Sequence, residues 1–450
     1  MRRRTGFLTP LIGSESRLGQ TLRVPYFVVI DRDKDATITP LLTTRERVAL
    51  FGEYRQRFPG GAFITDGSIT YVRRTDDFDQ PQSGDEWRGH LFGRLRYDID
   101  KNWRTGFDAG YVTDKTYLRR YNVYHGDTLA STAWTEGFFD RNYANVRLMH
   151  FRTLRQTEEQ EGLPYALPLA EYSAVGDPVG RWGRWNFDAS VLALGRTTGP
   201  ESRRMSLTGG WRLPYTDPAG WTLTVNASIN ADLYWVTGNE ADGLPTFNGV
   251  VGRIFPAAKV DWRYPFVREL GNVRHVIEPR VAVVATPPGL NTWRIPNEDS
   301  QDLELDDLTL FDENRYPGRD RIDDGVRIVY GIENALYGNR GGKAEAFIGQ
   351  SWRIFGEDNV PSNSGIRNNL SDVVGRLRLA PADYLNVTYR FRVDAKTLSF
   401  RRHELTVAGG IPALRLSATY IDLSEQVGNS EFTNRQQVAF AGSSQITPRW

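Results

Sequence analysis

The sequence predicts an all-β fold, a large antiparallel transmembrane β-barrel formed by residues 1–450. Three observations carry that expectation. Apolar and polar residues alternate with a period of two through long segments, connections alternate between short turns and long polar loops, and aromatic residues gather near the segment ends. The chain has 450 residues, more than one packed core ordinarily holds. A closed sheet escapes that limit because it surrounds a lumen instead of filling a core.

The alternation is strict. Trp221, Leu223, Val225, Ala227, Ile229, Ala231, Leu233 and Trp235 share one face, while Thr222, Thr224, Asn226, Ser228, Asn230, Asp232 and Tyr234 share the other. Successive side chains of a strand point to opposite faces, so this is strand periodicity. It returns at Trp87, Gly89, Leu91, Gly93, Leu95 and Tyr97 against Arg88, His90, Phe92, Arg94, Arg96 and Asp98. Leu385, Val387, Tyr389, Phe391 and Val393 repeat it against Asn386, Thr388, Arg390 and Arg392. Roughly 22 strands are read along the chain, many of about ten residues, as a tilted strand crossing a bilayer requires.

The connections separate by size. Short turns are expected at 31–35, 59–61, 100–102, 140–142, 217–220, 381–383 and 411–412, and long polar loops at 75–85, 114–127, 155–163, 238–251, 286–325 and 356–371. Short turns at one rim and long loops at the other mark an up-and-down membrane barrel. A soluble sandwich or propeller has no reason to sort its loops this way. Tyr26, Phe27, Trp185, Trp211, Trp221, Trp235, Trp262, Tyr264, Phe266 and Trp352 lie near strand ends. They read either as interfacial girdles or as ordinary aromatic β-propensity.

Composition excludes more than it assigns. Net charge is +1, which gives no reason to expect a nucleic-acid partner. Only 6 of the 56 basic residues are lysine. The arginine excess suits bidentate contact with phosphate or carboxylate, or it reflects codon usage. With no cysteine, disulfides, thiolate metal sites and thiol catalysis are excluded. No run of about 18 apolar residues announces a membrane helix. The start Met1-Arg2-Arg3-Arg4-Thr5-Gly6 lacks the apolar stretch of a signal peptide, so a leader upstream is expected.

His90, His125, His150, His275 and His403 are scattered without metal-ligand spacing. No nucleophile elbow or phosphate-cradling glycine loop occurs, so neither an enzyme, a cofactor nor a metal site is expected. The acidic stretch Asn297-Glu298-Asp299-Ser300, continuing through Glu304, Asp306, Asp307, Asp312 and Glu313, reads as a solvated loop or as oxygen ligands for a divalent cation. Pro10 and Pro25 fall in the first two strands. Proline gives no amide hydrogen to a ladder, so the pair either weakens the seam where first and last strands close or protects an edge from unwanted pairing.

Several stretches, in order, resemble the barrel of the lipopolysaccharide-assembly protein family, LptD, in its α-proteobacterial form. They are Arg3-Arg4-Thr5-Gly6-Phe7-Leu8-Thr9-Pro10, Val24-Pro25-Tyr26-Phe27, Asp35-Ala36-Thr37-Ile38-Thr39-Pro40, Gly52-Glu53-Tyr54-Arg55, Tyr117-Leu118-Arg119-Arg120-Tyr121, Trp134-Thr135-Glu136-Gly137-Phe138 and Asp261-Trp262-Arg263-Tyr264-Pro265-Phe266. The acidic Pro296-Asn297-Glu298-Asp299-Ser300, Ser371-Asp372 and Asp383-Tyr384 are similar too. The resemblance runs over essentially the whole chain. It implies insertion of lipopolysaccharide into the outer leaflet of a Gram-negative outer membrane through a lumen and a lateral gate.

The resemblance further implies a plug lipoprotein (LptE-like) inside the barrel and periplasmic lipopolysaccharide-bridge proteins reached through an N-terminal β-domain. Prolines matching Pro10 and Pro25 are the ones linked to a weakened gate. Two departures follow. No periplasmic domain precedes the barrel in this sequence, and the family barrel has about 26 strands. Residues 1–450 are therefore expected to be the barrel domain alone, incomplete at the C-terminus, with Ser443 to Trp450 running into a further strand. The family's cysteines are absent, so its disulfide-dependent maturation does not carry over. A general porin or nutrient transporter is the alternative, with a soluble carbohydrate-binding β protein third. A porin normally has about 16–18 strands and an energised transporter an N-terminal plug, and neither fits this sequence.

Overall fold

The computed structural model describes residues 3–76, 78, 80–300, 303–356, 360, 364–382, 384–411, 413–423 and 435–444. The ends of two expected short turns (Asp383 and Pro412), parts of the loops at 75–85 and 356–371, and the expected strand start at 445–450 lie outside the described residues. Within them the chain forms 25 strand segments. Every strand pairing described is antiparallel.

Three breaks fall inside a strand instead of at a turn: between Gly6–Phe7 and Leu11–Glu15, between Gly19–Arg23 and Tyr26–Val29, and between Phe247–Arg263 and Phe266–Leu270. Each contains a proline, Pro10, Pro25 or Pro265, and each gap is a place where a ladder hydrogen bond has no donor. Read across those gaps, the described residues run as 22 strands, in agreement with the alternation. The fold is all-β and antiparallel, of the large transmembrane barrel class.

The chain divides into two compact units, one of residues 1–175, 188–207 and 233–251, the other of residues 176–187, 208–232 and 252–450. In the first, successive strands from Gly6 to Val175 pair with their neighbours in sequence. The second does the same from Ala258 to Ser444. Turn chemistry sets these hairpins. Pro59 and Gly60 join Ala49–Phe58 to Gly61–Thr75, with Gly60 at φ +81°, a conformation that costs glycine nothing. At the next short turn the Asp100 carboxylate accepts from the Asn102 and Trp103 amides at 2.7 and 2.8 Å, an aspartate-capped turn.

Burial is inverted relative to a water-soluble sheet. In Pro81–Asp98, Trp87 and Leu91 are 64% and 59% exposed while Arg88 and His90 are 1% and 6% exposed. In Thr222–Asn239, Ile229 and Trp235 are exposed and Tyr234 is buried. Tyr26, Trp185, Trp211, Phe266 and Trp352, all expected at the girdles, are exposed as well. A continuous apolar outer face has no favourable place in water and is what a hydrocarbon core covers. Leu91→Arg, in mid-strand, is accordingly expected to lower stability in phospholipid vesicles by about 2–4 kcal/mol, measured by urea titration of tryptophan fluorescence. A change below about 0.5 kcal/mol, the ordinary effect of a surface substitution, would mean that this face meets water.

Candidate functional site

The two prolines singled out in the sequence come together. Phe7 pairs with Tyr26, whereas Leu11 pairs with Arg23, so three residues of the first strand face two of the second. That one-residue surplus is a β-bulge, and it contains Pro10 and abuts Pro25. The Leu8 amide donates to the Pro25 carbonyl at 2.9 Å. A hydrogen-bonded antiparallel pair normally exchanges two such bonds, and Pro25 has no hydrogen to return.

A third proline, missed from sequence, extends the defect. The Val24 amide donates to the Pro40 carbonyl at 3.2 Å, and Pro40 returns nothing for the same reason. Pro10, Pro25 and Pro40 thus lie side by side across three neighbouring strands. The spacing of Pro25 and Pro40 is a signal only once register is known. A proline diagonal to a proline of the next strand is not by itself unique, because the Tyr264 amide donates to the Pro279 carbonyl at 3.1 Å beside Pro265. There the register continues unshifted from Arg263↔Arg280 to Phe266↔Ile277. The bulge distinguishes the first seam.

On the polar face beside this seam is a cavity of about 790 Å³, bordered by Arg23, Pro25, Phe27, Phe51, Glu53 and Arg55. Asp35, 5% exposed, receives Arg55 Nε at 2.7 Å and Arg3 Nη1 at 2.5 Å. Arg23 lies 5.4 Å from the Phe51 ring centroid and donates to the Tyr121 carbonyl at 3.4 Å. The familiar-looking motifs around Asp35, Glu53 and Arg55 therefore supply the charged wall of one cavity.

The motif Tyr117 to Tyr121 closes over the same face. Residues 113–127 form a loop whose single helical turn, Tyr117–Arg120, buries Tyr117, Leu118 and Tyr121 completely, against Leu18, Leu41, Ala49 and Val112. Polar contacts fix it. Ser68 Oγ is 2.7 Å from both Tyr117 Oη and His90 Nδ1, and Arg120 pairs with Glu46. Buried Arg88 donates to Asp114 through Nε at 2.8 Å and Nη2 at 2.5 Å, and to Thr116 at 2.6 Å. Burial pushes the Asp114 carboxyl up, but the hydrogen bonds and charge of Arg88 together with the hydroxyls of Thr113 and Thr116 outweigh it and leave the group below its ordinary range. Burial holds the Tyr117 hydroxyl at about 12.

In the long loop between Val273–Thr286 and Gly325–Gly338 the acidic stretch is held against the sheet: Asp312 is exposed, but Glu298, Asp299, Glu304, Asp306, Asp307 and Glu313 are half-buried. Leu303, Leu305, Leu310 and Phe311 pack on Ala282, Val329 and Val374 of the sheet. Among the described residues no cluster of His, Asp or Glu is arranged to hold a metal. Asp299 Oδ1 accepts from the Arg319 and Asp320 amides at 3.0 Å each, and Asp306 Oδ1 from the Leu308 and Thr309 amides at 2.9 and 2.7 Å. These carboxylates take the backbone donors that an irregular segment cannot pair in a ladder. Glu313 accepts from Asn226 at 2.7 Å. Asp323, 7% exposed, pairs with Arg315 at 2.5 Å and Arg327 at 3.2 Å. Apolar packing on the sheet and ion pairs such as Asp323 with Arg327 hold the acidic loop down.

The family model for LptD, LPS transport system D, matches residues 86–450. The chain belongs to the LptD family. The LPS-assembly protein LptD of Polaromonas sp. is 28% identical over 83% of this chain and 47% of its own length. That of Albidiferax ferrireducens is 26% identical over 100% of this chain and 59% of its own, so the proline-bearing strands ahead of residue 86 fall inside the alignment. The relative from Actinobacillus pleuropneumoniae is 25% identical over 82% of this chain and 50% of its own. The chain thus spans about half the length of these relatives. Among solved structures, the siderophore receptor PirA of Pseudomonas aeruginosa overlays at a TM-score of 0.34 with 12% identity, covering 95% of this chain and 74% of its own. As an LptD barrel the protein is located in the outer membrane, and its apolar outer face is the surface that location demands.

Proposed function

We propose that this LptD barrel carries lipopolysaccharide into the outer leaflet, with the acyl part leaving sideways past Pro10 and Pro25 and the sugar part following the polar face. The observation that carries the reading is the bulged seam, where a missing amide at Pro25 leaves a single bond from Leu8. It lies beside a cavity of about 790 Å³ whose lining mixes Leu8, Phe27 and Phe51 with Arg23, Glu53 and Arg55. A lateral exit for an amphiphile needs a ladder that is cheap to open next to a hydrated path, and this seam has both properties. Transport of this kind makes and breaks no covalent bond, so the barrel has no catalytic role. An LptE-like plug lipoprotein and periplasmic bridge proteins are the partners this reading requires, the latter through a domain outside this barrel. The porin alternative has no use for such a seam.

Depletion of the protein in its own cells tests the reading. Surface labelling of newly made lipopolysaccharide is expected to fall to background while periplasmic forms accumulate. Continued labelling at the normal rate would refute it.

A further inference from the structure

Two arginine pairs run side by side across three strands of the second unit. Arg376 of Val373–Ala382 stands directly opposite Arg390 of Leu385–Val393, and Arg392 directly opposite Arg402 of Phe400–Ile411. Like charges directly opposite one another destabilise a sheet, so a pair of this kind needs an anion to bridge it. The long loop supplies one to each. Asp307 lies 2.9 Å from Arg376 and 3.5 Å from Arg390, and Glu304 lies 3.4 Å from Arg392 and 2.9 Å from Arg402.

The carboxylates fill the site incompletely. Arg390 Nε, Arg392 Nε and Nη1, and Arg402 Nε are buried yet make no hydrogen bond, as is Asp307 Oδ1. Burial also pushes the Asp307 carboxyl above its ordinary range in spite of both arginines. A planar carboxylate offers two oxygens to an array with more donors than that. With the loop lifted, the remaining carboxylates near the four guanidiniums are Glu404, paired with Arg390 and Arg402, Asp372, paired with Arg392, and Glu333, paired with Arg376. The uncovered site keeps four guanidiniums against three carboxylates, a net positive array, and a phosphomonoester brings three acceptor oxygens to its donors where a carboxylate brings two.

We infer that Asp307 and Glu304 are internal stand-ins for a phosphomonoester, and that raising the loop opens a four-arginine site for a phosphate group borne by the passing amphiphile. The source of that phosphate rests on the transport reading above; the site itself does not. A plain structural role for the pairs predicts no exchange of the loop for phosphate.

The test uses the wild-type protein in detergent, following hydrogen–deuterium exchange of the amides at 303–313. Orthophosphate is expected to raise exchange several-fold over chloride at equal ionic strength, and micelles doped with phosphatidic acid to do so over phosphatidylcholine. No difference between phosphate and chloride overturns the site. An effect of orthophosphate without one of phosphatidic acid overturns the amphiphile as the source. In a second arm, the variant Asp307→Asn with Glu304→Gln is expected to bind orthophosphate about tenfold tighter, the factor by which a loop closed nine-tenths of the time masks a site. Adding Arg390→Gln and Arg402→Gln should abolish that binding in protein that still migrates as a folded barrel. Persistence of the binding overturns the proposal. Loop release by phosphate in a protein whose depletion leaves surface labelling unchanged would refute the transport reading alone.

Discussion

Pro25→Ala combined with Pro40→Ala is expected to slow the appearance of lipopolysaccharide at the cell surface. Leu8 donates to Pro25 and Val24 to Pro40, and in a hydrogen-bonded antiparallel pair the residue that donates also accepts, so each restored hydrogen has an expected acceptor. One intramolecular hydrogen bond is worth about 1 kcal/mol net. The bond at Pro25 crosses the bulged seam and the bond at Pro40 the neighbouring one, so each seam would be stabilised by about 1 kcal/mol, roughly a fivefold drop in its open fraction. Pro10→Ala should do less, since Pro10 sits in the bulge where the ladder has lost its register. The experiment is pulse labelling followed by surface modification, in the full-length protein at equal barrel abundance. Rates unchanged in both variants would remove the seam from the transport route.

Arg88→Ala is expected to release the loop at 113–127 from the polar face. Arg88 is 1% exposed and bonds to Asp114, Thr75 and Thr116. Its removal strands the Asp114 carboxylate against a buried cluster, a loss of about 3–5 kcal/mol for a broken buried pair. Loop cleavage by a protease in detergent should rise by orders of magnitude, with barrel migration preserved because the strands keep their ladders. In the native protein the same contact has a defined pH dependence. Asp114 is held below its ordinary range, so its contribution is complete above about pH 4, the unfolded value, and is lost as pH falls through the lowered one. Cleavage that starts only in that acid range in native protein, and at neutral pH in Arg88→Ala, is the expected pattern. A loop equally protected in both would mean that hydrophobic burial of Tyr117, Leu118 and Tyr121 suffices alone.

These two expectations rest on differently legible features. The strands were readable because alternation is local: Trp87 to Tyr97 states its own periodicity whatever it pairs with. Loop asymmetry was equally readable, and so was the suspicion about Pro10 and Pro25. Pro40 was not, because a proline inside an ordinary strand pattern gains meaning only from the residue across from it. The acidic loop was misjudged for a related reason. Composition says that carboxylates prefer water, but Asp307 and Glu304 meet arginines 69 and 98 residues further along the chain.

By itself the sequence determined the fold class, the strand number and the apolar outer face, and through its ordered motifs the family. The tertiary structure alone decided that three prolines lie on three neighbouring strands, that Tyr117 to Tyr121 closes over a cavity, and that an acidic loop bridges paired arginines. The physical reason is range. A strand's period and a turn's capping aspartate act over a few residues, whereas register and charge neutralisation act between segments that meet only when the sheet has formed.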